Sequence, residues 1–106
     1  MSQHFYITKK NNETITICMG WDRPLQGFFM VVETNKKPQS DEDLDSKYLY
    51  HNMEDEALFE YDGLCRDLEY FKKKLKKLNF SVPASMIDEI MSDAIFNVGN
   101  KTKVHA

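Results

Sequence analysis

Residues 14–32 place two strand-like runs in immediate succession, and that pairing limits what the rest of the chain can become. Gly27-Phe28-Phe29-Met30-Val31-Val32 is hydrophobic at every side chain, so both of its alternating faces are apolar. In the run before it, Ile15, Ile17, Met19 and Trp21 share one face while Thr14, Thr16 and Cys18 share the other. β-Branched and aromatic residues at period two suit a pleated, half-buried surface, so a sheet must form and something must cover it.

The flanking segments extend this sheet. Residues 3–9 also alternate, with Phe5 and Ile7 on one side and Tyr6 and Thr8 on the other, and Asn11-Asn12 supplies turn chemistry. Asp22-Arg23-Pro24-Leu25-Gln26-Gly27 reads as a hairpin connection, because Pro24 cannot donate to a ladder and Gly27 frees the backbone. Tyr48-Leu49-Tyr50, within 47–51, is the candidate fourth strand.

The cover is helical. Leu68, Phe71, Leu75 and Leu78 recur at spacings of three and four, which predicts an amphipathic helix over about 66–78 with Asn79 as its stop. Met86, Ile87, Ile90, Met91, Ala94, Ile95 and Val98 form a wide apolar face on a second helix, about 84–97, with Gly99 in the C′ position. Strands first and helices afterwards give an α+β domain over residues 1–106. It is an antiparallel meander of three or four strands (about 3–9, 14–21, 27–34 and the candidate 47–51), with both helices packed on one face. Residues 36–46 read as an acidic loop and residues 100–106 as a frayed tail.

A 106-residue chain buries enough surface to fold without a metal or disulfide. Cys18 and Cys65 make neither a zinc pattern nor a redox pair. With no leader-like segment and no membrane-length apolar window, the expected location is cytoplasmic. The net charge of −3 conceals a strong asymmetry. Residues 38–65 carry nine acidic and one basic side chain, whereas residues 66–81 carry six basic and two acidic ones.

Motif chemistry is sparse. Asp41, Asp43 and Asp45 resemble the opening of a calcium loop, but Ser46 stands where glycine is required and Asn52 where a bidentate Glu should close the site. His4, His51 and His105 show no paired ligand spacing, so neither a metal nor a cofactor is expected. Phosphate-cradling glycine motifs are absent.

Three functional readings follow. The leading one is a non-enzymatic module that binds another protein through Trp21, Asp22 and Arg23 together with Asp41, Asp43 and Asp45, since Trp and Arg are enriched at binding hot spots. Self-association fits it as well, because the two-sided strand and the wide helix face exceed what one subunit covers. The first alternative is nucleic-acid binding through Lys72, Lys73, Lys74, Lys76 and Lys77, disfavoured by the acidic total charge and scarce arginine. The second is a small enzyme using Asp22, Arg23, His51 and Cys65.

Overall fold

The alternating runs build one five-stranded sheet, seen here in a computed structural model that describes residues 1–10, 13–34, 48–61 and 63–105. Its strands are β1 (Ser2–Lys10), β2 (Glu13–Asp22), β3 (Gly27–Thr34), β4 (Tyr48–His51) and β5 (Lys101–His105), in spatial order β4-β3-β2-β1-β5. Strands β1 to β4 pair antiparallel, as the meander requires, while β5 pairs parallel to β1. Two helices, α1 (Leu68–Lys77) and α2 (Ala84–Ile95), complete an α+β fold.

Register places the core on one side. Tyr6, Ile17, Val32 and Tyr50 stand opposite one another across four strands, and His4, Met19 and Met30 form the next row. Directly opposed side chains share a face, so the burial of Ile17, Met19, Met30 and Val32 marks the covered side. Helix α2 lies against β1 and β2 through Met86, Ile87 and Ile90. Helix α1 contributes Leu68, Phe71 and Leu75, with the Phe71 ring edge-on to Tyr50 at 6.2 Å. The opposite face of the sheet carries Ile7 and Val104, both exposed.

Local chemistry sets the helix limits. Asp67 accepts a hydrogen bond from the Glu69 amide at 3.0 Å and caps α1. Both helices stop at an asparagine with positive φ, Asn79 (62°) and Asn97 (51°). The Phe80 amide then donates to Leu75 and the Val98 amide to Asp93, the Schellman closure in each case. Asn97, not Gly99, therefore holds the C′ position of α2. Gly20 serves a close approach: a Cβ there would overlap the Ser2 carbonyl oxygen.

One further expectation changes. The segment expected to fray is β5, bonded in register from Ser2↔Lys101 to Tyr6↔His105. Lys-Thr-Lys-Val-His has no apolar alternation to signal a strand, because an edge strand buries little and its stability comes from the ladder. The wide apolar face of α2 is covered only in part, as its width led one to expect: Met91 is 47% exposed and Ile95 75%.

This layering predicts unequal costs for truncation. Phe71→Ala, at a side chain fully out of water, should lower the free energy of unfolding in urea by about 3–5 kcal/mol. Ile95→Ala should change it by about 0.5 kcal/mol or less. Equal losses at the two positions would contradict the assignment of the core.

Candidate functional site

Parallel pairing of β5 with β1 brings the two ends of the chain beside α2, and a polar cluster forms there. His4 on β1 is completely buried. Its Nε2 lies 2.6 Å from Asp93 Oδ2, and its Nδ1 lies 2.8 Å from His105 Nε2. Glu89 and Asp93 sit four residues apart on α2 and so share a helix face, which places Glu89 Oε2 3.7 Å from both histidine nitrogens. Lys101 Nζ donates to Asp93 Oδ1 at 3.0 Å, and Lys103 Nζ donates to Glu89 Oε1.

The charges within the cluster are mutually supportive. Burial opposes ionisation of Asp93, but hydrogen bonds from His4, Lys101 and Ser2 outweigh it and hold the carboxyl below its ordinary range. The Lys103 hydrogen bond does the same for Glu89. His105 is held below the ordinary histidine range, first by burial and then by the charge of His4. Because Asp93 is an ionised acceptor, His4 donates through Nε2, which fixes the ring orientation and turns Nδ1 toward His105 and Glu89.

A second feature lies between the helices. Hollows of about 380 Å³ and about 400 Å³ open on either side of Ile87, each lined by residues of both α1 and α2. Trp21, Phe28 and Met91 line the first; Leu75, Phe80 and Val82 line the second. Together they make an apolar furrow rimmed by Arg66 and Glu69 at one end and by Lys72, Lys76 and Asp88 at the other. Ile95, 75% exposed, also lines the first hollow, and Phe96, equally exposed, follows it in the chain.

The residues singled out in the sequence fall variously around these features. Trp21 is buried, lines the furrow, and donates from Nε1 to Asn97 Oδ1 at 3.2 Å. Asp22 is buried and closes the hairpin by accepting from the Leu25 amide, while Arg23 is exposed on the turn. Asn97 also accepts from Gln26 Nε2 at 2.8 Å, so one side chain clips the 22–27 turn to the end of α2.

Asp41, Asp43 and Asp45 lie outside the described residues. Of the lysines, Lys72 pairs with Glu69, and Lys73, Lys76 and Lys77 are exposed. Lys74 is half-buried over the Tyr70 ring, 4.0 Å from Asp55. Asp55 in turn accepts from the hydroxyls of Tyr50 (2.6 Å) and Tyr70 (2.7 Å), and these bonds outweigh burial to hold its carboxyl low.

His51 and Cys65 are not brought together. His51 pairs with Val31, whose side chain faces away from the helices, whereas Cys65 bridges to Phe28 and packs against the core. The Cys18 thiol is pushed up to about 12, by burial first and by Glu33 second. Sequence spacing missed the histidine cluster, since positions 4, 89, 93 and 105 share no local pattern; the i, i+4 carboxylates on α2 were the one readable half. Comparison with protein-family models, curated proteins and solved structures returns no match to this chain.

The cluster and, apart from it, Asp55 make stability fall on acidification in two windows. The unfolded chain protonates at His105 more readily than the folded one. This contribution is therefore full above the ordinary histidine value of about 6.5 and is lost as pH drops toward the lower folded value. Asp93 and Asp55 contribute fully above about 3.9 and lose their contribution as pH falls through their depressed folded values. In urea midpoints measured across both windows, His105→Ala should shrink the upper fall and leave the lower one. Asp93→Asn should cost about 3 kcal/mol at neutral pH and shrink the lower fall. A wild-type profile flat through both windows would refute this reading.

Proposed function

We propose that the protein is a non-enzymatic interaction module that receives a helical segment of another protein in the furrow between α1 and α2. The observation that carries this reading is the uncovered apolar surface of α2: Met91, Ile95 and Phe96 stand in water beside a hollow already lined by Trp21 and Phe28. Grouped exposed apolar residues beside a concave surface are a common mark of a protein contact. Two hollows separated by Ile87 suit a helix that inserts apolar anchors three or four residues apart.

The rim selects the partner's charge. On the second hollow Lys76 favours an acidic residue flanking the anchors, while Lys72 is paired with Glu69 and Asp88 adds the opposite charge. Trp21 acts here as part of the furrow lining, with its indole held by Asn97. A furrow preset by buried side chains loses little entropy on binding.

Selection from a displayed library of amphipathic helical peptides tests the proposal. Enriched peptides should carry apolar anchors at i, i+3 or i+4, and i+7. Ile95→Asp and Phe96→Asp, both at exposed positions, should weaken their binding about tenfold or more while leaving the fold intact. No enrichment, or enriched peptides that bind both variants as tightly as the wild type, would defeat it. The mass in solution, measured alongside, distinguishes a second copy of the chain as occupant from a foreign partner.

A further inference from the structure

We infer that His4 Nδ1, His105 Nε2 and Glu89 Oε2 form a binding site for a divalent transition-metal ion of the zinc class. The three donor atoms define a triangle with sides of 2.8, 3.7 and 3.7 Å. Such a triangle has a point about 2.0 Å from every corner, and zinc bonds to imidazole nitrogen and carboxylate oxygen are roughly 2.0–2.2 Å long. An ion there lies within bonding distance of all three donors without any strand or helix moving.

Glu89 Oε2 supplies independent support. Among the described residues it is the one buried side-chain polar atom without a hydrogen-bond partner. Although the Glu89 side chain is 33% exposed, this oxygen is shielded from water and lacks a donor, which is less favourable than a satisfied acceptor. The unpaired oxygen faces the two histidine nitrogens, and a cation between them would satisfy it. Glu89 reaches Lys103 through Oε1, so its other oxygen is free to bind the ion while that ion pair persists.

The surrounding groups resemble the outer shell of a metal site. Asp93 Oδ2 accepts from His4 Nε2, which fixes the ring, and Nδ1 becomes a ligand atom once the proton it shares with His105 Nε2 is released to solvent. Asp93 is itself held by Lys101 through its other oxygen. The two carboxylates balance the two lysines, whose ammonium groups are partly exposed.

Two nitrogens and one oxygen also decide the class of ion. Calcium and magnesium take six or more oxygen ligands, whereas imidazole with a carboxylate suits zinc and its first-row neighbours. Three protein ligands leave a coordination position open to solvent.

Calorimetric titration of the untagged full chain with zinc chloride tests the site. Micromolar or tighter binding at one ion per chain is expected, weakened about tenfold or more in His105→Ala and in Glu89→Gln. Both changes leave the fully buried His4 in place, and circular dichroism verifies that the sheet persists in each. Long-range proton–nitrogen NMR spectra of the zinc-loaded protein should show metal-induced shifts at His4 Nδ1 and His105 Nε2. Failure of the wild type to bind would overturn the inference. So would undiminished binding by folded variants, or shifts confined to His51.

Discussion

The hydrogen bond from His4 to Asp93 joins the first strand to the last helix in a place closed to water, and much of the architecture depends on it. A buried carboxylate is tolerable only when paired and fully hydrogen-bonded. Here Asp93 takes donors from His4, Lys101 and Ser2, three residues drawn from β1 and β5. That requirement fastens α2 over β1 and holds β5 at the sheet edge. Once α2 is seated there through Met86, Ile87 and Ile90, the furrow toward α1 follows, and Met91 and Ile95 are left facing outward.

Two surfaces of opposite chemistry result from this one arrangement. The furrow is apolar, shallow and open at its ends, a shape suited to another chain. The sheet edge is polar and enclosed, with two imidazoles and a carboxylate converging on one point. They share α2, whose Glu89 and Asp93 face the edge while Ile87 and Met91 line the furrow. A ligand at either surface therefore contacts the same helix.

Much of the scaffold was legible in the sequence because local pattern and final burial agree. Ile15, Ile17, Met19 and Trp21 alternate and are all buried; Leu68, Phe71 and Leu75 recur at helical spacing and are all buried. β5 was illegible because its evidence is non-local: a polar five-residue edge strand is defined by its pairing with β1, about a hundred positions earlier. Asn97 outcompeted Gly99 as the helix stop because its side chain also bonds Trp21 and Gln26, a tertiary gain that propensity does not contain. Trp21 and Arg23 drew attention as hot-spot types and Asp22 as their neighbour, yet Trp21 and Asp22 are buried and hydrogen-bonded within the fold and Arg23 alone is exposed. The histidine cluster assembles from opposite ends of the chain, so no spacing rule reaches it.

Native-state amide hydrogen exchange over residues 101–105 tests most directly whether the His4–Asp93 link secures the edge of the sheet. The amides of β5 that face β1 should exchange far more slowly than an unfolded chain, and Asp93→Asn should release them while β2 and β3 stay protected. Exchange of residues 101–105 at the unfolded-chain rate in the wild-type protein, beside a protected β2 and β3, would contradict the account.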